Sequence, residues 1–338
     1  MKMAGLRSLA TAMHDADLGA EVLESGNVRA QMTHGSRLGA RRDHSRLPGA
    51  RTTVLELMEL QRGQVAVVTG GARGIGLAMA IAFADRGLDI VVADVDDDPL
   101  AAAVKYFEGR RVSALAVHTD VRDAAQVEAL AAATLDRFGR LDVICNNAGV
   151  VSPMRPIWEV DLRDWEWVLS VNLLGVIHGI RAFVPHLVAQ GTGHVVNTAS
   201  MAGIALIPNL GPYTAAKAGV VALSEMLSIE LAGVAPGVGV TVVCPGMIES
   251  NLGAAERNRP AEFATGSAAT APAAGAPRTA RSVTSAEVLP ASAVGEAVVA
   301  AIEANILHIA PNGSLLPVRR RIDRLLADLT ATGLRDPT

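Results

Sequence analysis

Residues 64–244 alternate short apolar runs with longer stretches of helical spacing, and no other feature of the sequence limits the fold so strongly. The apolar runs are QVAVVT, LDIVVAD, RVSALAVHT, LDVICNN, GHVVNTAS and GVTVVC. Each run has the length of a strand and is apolar on both faces, which is typical of parallel strands covered by helices on both sides. The alternation therefore predicts an α/β fold with a doubly wound parallel sheet.

The alternation stops after the sixth apolar run and resumes about forty residues later. In between, residues 251–287 form a low-complexity run of Ala, Pro, Gly, Ser and Thr. A long irregular segment that follows a strand end is typically functional or mobile, so this run is predicted to be a flexible substrate lid. A helix at 290–304, a short strand and a basic helix at 312–330 are predicted to complete a single domain over 58–338.

Residues 1–57 differ from the rest of the chain because their charge is scattered and they show little periodicity. This composition predicts a disordered N-terminal extension. The segment lacks the uninterrupted apolar stretch of a secretory signal, and its acidic residues argue against a transit peptide. A nucleic-acid-binding arm is the less favoured alternative. Another hypothesis places the native start at Met58, directly before the first strand.

The charge and the cysteine content argue against several classes of function. A net charge of −4 and a sequence pI near 6.1 provide no basic field for nucleic acid or for an anionic membrane. No apolar run reaches the length that a bilayer requires. The two cysteines, Cys145 and Cys244, each end an apolar run, and neither a disulfide nor a metal site is predicted. Structural thiols fit a reducing cytoplasm, which is the predicted location.

A glycine-rich turn joins the first strand to the first helix in VVTGGARGIG. Gly70, Gly74 and Gly76 would let the backbone approach a pyrophosphate, which the free N–H groups of the helix N-terminus attract. The second strand ends in Asp94, which can bind the ribose hydroxyls of NAD and repel the additional phosphate of NADP. Arg73 could instead meet that phosphate. NAD is therefore the predicted cofactor, and NADP remains an alternative.

The segment PYTAAK contains one of the two tyrosines and one of the three lysines in the chain. Apolar residues at helical spacing predict a long helix here, which places Tyr213 and Lys217 on one face. At about 4 Å and an effective dielectric of about 20, the ammonium would favour the phenolate by roughly 4 kcal/mol, or on the order of three pKa units before desolvation takes some back. The pair is therefore predicted to be a general acid–base with a lowered tyrosine pKa, the alternative being a chance surface pair.

Several short motifs accompany this pair in a fixed order. They are TGxxxGIG from Thr69, DV at Asp120, NNAG from Asn146, VNLLG with Asn172, NTAS with Ser200, YTAAK with Tyr213, and PGMIES from Pro245. Together they resemble the short-chain dehydrogenase/reductase family over roughly residues 62–250. The resemblance implies a Rossmann fold and an NAD(P)-dependent oxidoreductase that acts on CH–OH groups.

The family's catalytic tetrad corresponds here to Asn172, Ser200, Tyr213 and Lys217. The resemblance implies that Ser200 holds the substrate oxygen while Tyr213 exchanges its proton. Lys217 would lower the pKa of Tyr213 and bind the cofactor ribose, and Asn172 would hold a water. The implied cofactor-binding residues are Gly70, Arg73, Gly74, Ile75, Gly76, Asp94, Asp120, Val121, Asn147, Ala148, Gly149, Tyr213, Lys217, Pro245, Gly246, Ile248 and Ser250.

The substrate is predicted to be a small hydrophobic secondary alcohol or ketone. The uncharged segment MAGIALIPNLGP at 201–212 is expected to line the pocket, with Met247 and Ile248 close by. An NADPH-dependent ketone reductase of the same fold is the first alternative. A non-catalytic dinucleotide-binding protein is the second, and the complete tetrad argues against it.

The C-terminal part departs from the family pattern, because ILHIAPNGS and a basic helix stand where the family often has a strand and a glycine pair. A homo-oligomer, either a dimer or a tetramer, is predicted without its contacts being identified. Trp158, Trp165 and Trp167 are expected to serve packing or subunit contact rather than ligand stacking.

Overall fold

The computed structural model of the chain describes residues 58–249, 252–265 and 288–334. The predicted disordered extension at 1–57 lies outside these residues, as does the role predicted for Ser250. Of the predicted lid, only the part before residue 266 is described. The prediction of a single domain from residue 58 onward stays a prediction.

A seven-stranded parallel sheet forms the centre of the described fold, in the order β3-β2-β1-β4-β5-β6-β7. The strands are β1 (Val65–Thr69), β2 (Asp89–Asp94), β3 (Ala114–His118), β4 (Val143–Asn146), β5 (Gly193–Thr198), β6 (Val238–Val243) and β7 (His308–Ile309). The chain runs outward from β1 to β3 and then returns to β4 on the other side. This reversal leaves a crevice at the carboxyl ends of β1 and β4. The predicted doubly wound parallel sheet is confirmed.

Nine helices accompany the sheet within the described ranges. They are α1 (Gly74–Asp85), α2 (Asp97–Phe107), α3 (Ala124–Phe138), α4 (Leu162–Leu169), α5 (Gly175–Gln190), α6 (Met201–Ala205), α7 (Gly211–Val234), α8 (Ala291–Glu303) and α9 (Leu315–Ala331). Alternate residues of β1 enter two different cores: Val67 packs with α3, α5 and α7, and Val68 packs with α1, α2 and α8. Helices on both faces explain why all five residues of β1 are buried.

A continuous helical stretch of 29 residues, Leu162–Gln190, combines α4 and α5 through a π-helical turn at Ser170–Leu174. An 18-residue window of this stretch has a mean hydropathy of 1.6, which by length and composition would suffice to cross a membrane, so the prediction that no apolar run reaches that length was wrong. Phe183 and Leu187 of this stretch are fully buried in the core beside the sheet. Packing against the sheet therefore accounts for its apolar composition.

The described part of the predicted lid is not irregular throughout, because it contains short 3₁₀ helices at Leu252–Asn258 and Ala261–Phe263. The helix predicted at 290–304 is α8, and the one predicted at 312–330 is α9. Arg321 of α9 donates hydrogen bonds to the backbone oxygens of Gly203 and Ile204 at the end of α6. The C-terminal segment thus lies beside the helix that follows Ser200.

Candidate active site

A cavity of about 700 Å³ opens at the crevice between β1 and β4. All predicted site residues that the structure describes line this cavity, except Asn172. The residues come from the carboxyl ends of successive strands, which meet at one edge because the strands are parallel. The fold therefore brings together side chains that are far apart in the sequence, as the motif order predicts.

The glycine turn between β1 and α1 is packed so closely that side chains are excluded from it. Gly70 and Gly74 have φ angles of 59° and 53°, in the left-handed region that glycine adopts without strain. A Cβ on Gly76 would collide with the backbone oxygen of Gly70. Asn147 fixes the turn from β4, since its Nδ2 donates to the backbone oxygen of Thr69 at 2.9 Å. The N-terminus of α1 consequently faces the cavity.

Asp94 at the end of β2 is held by backbone N–H groups. Its carboxylate accepts hydrogen bonds from Ala72 at 3.1 Å, from Val95 at 2.8 Å and from Asp96 at 3.2 Å. These contacts place a fixed negative charge in the cavity wall beside the glycine turn. Arg73 also lines the wall, but its Nε lies 3.9 Å from Asp96.

Ser200 and Tyr213 both line the cavity, Ser200 directly before α6 and Tyr213 in the first turn of α7. The Ser200 hydroxyl accepts a hydrogen bond from the backbone N–H of Ala202 at 3.1 Å and so caps α6. The Ser200 side chain also acts on the phenol of Tyr213, which lies four residues before Lys217 on α7. Burial raises the pKa of Tyr213, and the side chain of Ser200 offsets this only in part.

Lys217 is buried beneath Tyr213, where its Nζ donates to the backbone oxygen of Thr198 at 2.6 Å. The Nζ lies 5.8 Å from the centre of the Tyr213 ring. Burial lowers the pKa of Lys217 to about 8. The prediction that this lysine brings the tyrosine pKa below its usual value is wrong, because burial of the phenol raises that pKa. The ammonium is turned toward Thr198, and the loss of water around the phenol has the larger effect.

Asn172 lies in the π-helical turn and is completely buried. Its side-chain amide makes two hydrogen bonds of 2.8 Å with the backbone of Val150, one as acceptor and one as donor. These bonds brace the loop that follows β4 and contains Gly149. Each amide atom keeps one further hydrogen-bonding position, which is what a bound water would need.

The cavity wall also includes residues that the sequence motifs did not indicate. Leu252, Ala255, Arg257, Asn258 and Pro260 enter from the described part of the predicted lid. The sequence predicted this segment as a lid, but no motif indicated which of its residues face the cavity.

Trp167 also lines the cavity, although packing or subunit contact was its predicted role. Its ring stacks on the guanidinium of Arg259 at 4.0 Å, and Arg259 in turn donates to the buried carboxylate of Asp164 at 2.7 Å. The described part of the predicted lid is thus anchored to α4 beside the cavity.

The segment 201–212 does not line the cavity, contrary to prediction. Met201 and Ala202 point into the core instead, and α6 packs against α7. Met247 and Ile248 do line it, as expected. The apolar residues of the wall also include Val150, Trp167, Val171, Leu252 and Ala255.

The comparisons with known proteins agree on one family. A family model described as short chain dehydrogenase matches residues 64–261. The 1-deoxy-11-beta-hydroxypentalenate dehydrogenase of Streptomyces exfoliatus is 40% identical over 197 residues, which are 58% of this chain and 70% of that protein. The 2-(R)-hydroxypropyl-CoM dehydrogenase of Xanthobacter autotrophicus is 35% identical over 192 residues, covering 56% of this chain and 76% of that protein.

Among solved structures, a short chain dehydrogenase/reductase from Burkholderia phymatum in complex with NAD has a similar fold. Its TM-score is 0.73 and its sequence identity 35%, and the match covers 83% of this chain and 98% of that chain.

Proposed function

The chain belongs to the short-chain dehydrogenase/reductase family, as its motifs predict, and we propose that it interconverts a hydrophobic secondary alcohol and its ketone with NAD. Members of this family are oxidoreductases that act on CH–OH groups. The observation that supports the proposal best is that Ser200, Tyr213 and the buried Lys217 line one cavity together with the glycine turn.

The glycine turn fits a dinucleotide. A Cβ at Gly76 would fill the turn, and the exposed N–H groups of α1 provide a place for a pyrophosphate. Gly70, Ile75 and Asn147 would complete this cradle, and Asp94 would meet the adenosine ribose. When bound, NAD supplies the hydride acceptor for alcohol oxidation. The similarity to a structure in complex with NAD supports this assignment.

The remaining chemistry belongs to side chains of this protein. Ser200 would hold the substrate oxygen, and Tyr213 would take the alcohol proton in oxidation or return it in ketone reduction. Lys217 favours the phenolate by its charge, and Asn172 would hold a water that connects Lys217 with solvent. The raised pKa of Tyr213 suits the direction of reduction, in which a protonated phenol is the proton donor.

The substrate class is proposed from the wall near Tyr213. Val150, Trp167, Val171, Met247 and Leu252 make this part of the cavity apolar. NAD-coupled oxidation of cyclic, steroid-like or terpenoid secondary alcohols is expected to exceed that of sugars and hydroxy acids by at least about tenfold in kcat/KM. Initial rates of NADH formation, followed at 340 nm on a panel of these alcohols, measure this difference. Turnover of charged, sugar-like alcohols alone would contradict the apolar assignment.

Asp94→Asn is expected to improve NADPH binding roughly tenfold, because the variant removes a negative charge beside the place of the 2′-phosphate. Asparagine keeps one side-chain oxygen, which can still accept the hydrogen bonds from Val95 and Asp96, whereas the N–H of Ala72 loses its acceptor. Titration of cofactor fluorescence with NADH and NADPH gives both dissociation constants. Unchanged NADPH affinity in a variant with normal thermal stability would argue against Asp94 as a cofactor selector.

An NADPH-dependent ketone reductase is the second candidate, and Arg73 and Arg257 in the cavity wall favour it. A wild-type preference for NADPH in the same titration would support it. A homodimer or homotetramer is proposed as well. The exposed apolar side chains of Met226, Ile229 and Val234 on α7 support self-association. The cytoplasmic location stays a prediction.

A further inference from the structure

Asp96 connects three segments around the crevice with one carboxylate oxygen. Its Oδ2 accepts hydrogen bonds from Arg257 Nη2 at 3.0 Å and from Asn258 Nδ2 at 3.1 Å, and it lies 3.9 Å from Arg73 Nε. Arg73 belongs to the glycine turn, whereas Arg257 and Asn258 belong to the 3₁₀ helix Leu252–Asn258. The carboxylate follows β2 by two residues, next to Asp94.

Asp96 is charged at neutral pH. Burial acts to raise the pKa of Asp96, but the hydrogen bonds from Asn258 and Arg257 hold it below its usual value. The two guanidinium groups are therefore paired with a full negative charge. Both arginines line the same cavity wall as Asp94.

The third arginine in the described part of the wall is paired in the same way. Arg122 makes ion pairs with Asp120 at 2.6 Å and with Glu262 at 2.9 Å. Each of the three wall arginines is thus engaged by a carboxylate. A phosphate that entered this end of the cavity would have to compete with those carboxylates, and it gains most from a guanidinium whose N–H groups are free.

We propose that Asp96 is a specificity-determining residue for the cofactor, because it holds Arg73 and Arg257 in ion pairs and so withholds them from a 2′-phosphate. The inference rests on the proposed dinucleotide site and deepens it. Asp94 acts on the phosphate directly by repulsion, whereas Asp96 acts through the two arginines. The same contact holds the segment Leu252–Asn258 beside the end of β2, where the adenosine ribose would bind. Arg257, 161 positions away from Asp96 along the chain, thereby takes part in the choice of cofactor.

Asp96→Asn tests this, with Asp97→Asn as the matched control. Asp97 is the adjacent residue, and its exposed carboxylate pairs with His118 at 2.7 Å rather than with either wall arginine. Both variants remove one negative charge within the same turn. Dissociation constants for NADH and NADPH are measured by fluorescence titration on the full chain, and thermal melting without cofactor checks the fold.

Asp96→Asn is expected to lower the ratio of the NADPH to the NADH dissociation constant by about tenfold. Asp97→Asn should change it by less than about twofold, because the long-range effect of an exposed charge is screened. In a triple variant that adds Arg73→Gln and Arg257→Gln to Asp96→Asn, the gain in relative NADPH affinity should disappear.

Three results would overturn the inference. They are an unchanged ratio in Asp96→Asn, an equal shift in both aspartate variants, and a gain that persists in the triple variant. Wild-type protein that binds neither dinucleotide would overturn the proposed function, and the inference with it. Normal NADH binding combined with an unchanged ratio would remove the inference alone.

Discussion

Tyr213→Phe is expected to lower kcat for alcohol oxidation by about a hundredfold to ten-thousandfold, with little change in the NADH dissociation constant. The substitution removes only the hydroxyl of a residue that lines the cavity together with Ser200. The ring is buried in the core and phenylalanine has nearly the same shape, so the fold should be retained. The proton then has no acceptor at the substrate oxygen, while the glycine turn is untouched.

The matched control is Tyr106→Phe, which removes the hydroxyl of the other tyrosine. Tyr106 is 41% exposed on α2, where its hydroxyl meets Arg110 at 2.7 Å. Its loss should leave kcat within about twofold, as for most surface substitutions. Steady-state kinetics at saturating NAD compare the two variants. Equal rates for wild type and Tyr213→Phe would remove Tyr213 from the chemistry.

Lys217→Met is expected to lower kcat by at least about a hundredfold and to weaken dinucleotide binding. Methionine fills a similar volume without the ammonium, so nothing charged is left beneath Tyr213 to favour its phenolate. The remaining activity should rise with pH further into the alkaline range than in wild type, because the phenol then loses its proton less readily. A pH profile of kcat from about pH 6 to 10 measures this shift.

The same variant should lose activity without losing stability at neutral pH. A buried ammonium is costly, and an apolar residue of similar volume is often neutral or stabilising, although the Thr198 oxygen loses its partner. The folded protein holds the pKa of Lys217 at about 8, below its value in the unfolded chain. At a pH between these two pKa values, Lys217 is protonated more fully in the unfolded chain than in the folded protein. The contribution of Lys217 to the free energy of unfolding therefore rises with pH.

Between pH 7 and pH 9, the free energy of unfolding of the wild type should therefore rise by about 1 kcal/mol relative to that of Lys217→Met. Denaturant titrations of both proteins at the two pH values isolate this difference, because all other groups cancel. Lys105→Met is the control, since Lys105 is exposed on α2. A constant difference across that pH range would mean that the Lys217 pKa is not lowered. Unchanged kcat in Lys217→Met would remove the lysine from the mechanism.

The elements that the sequence predicted well are those whose spacing follows from backbone geometry. The strands β1, β2, β4, β5 and β6 are buried because helices cover both faces of the sheet, whereas the edge strand β3 is only partly buried. Gly70 and Gly76 mark the tight turn because any side chain would collide there. Tyr213 and Lys217 share a helix face because four residues make about one turn.

The pKa values of Tyr213 and Lys217 could not be predicted from their spacing in the sequence. Position along α7 does not determine that Lys217 turns toward Thr198, or that burial raises the pKa of Tyr213. Both follow from how completely the surrounding elements exclude water. The expected pocket lining failed for a related reason, since α6 turns the apolar residues after Ser200 into the core.

The sequence alone determined the parallel sheet, the glycine turn, the order of the motifs and the tyrosine–lysine pair, because each depends on neighbours within a few residues. Only the tertiary structure decided that Arg257 reaches Asp96, that Arg259 stacks on Trp167, and that Asn172 binds the backbone of Val150. Those contacts join segments that are distant in the sequence. They depend on which strand ends lie side by side in the sheet and on which side chains are buried at that place. No local periodicity encodes either condition.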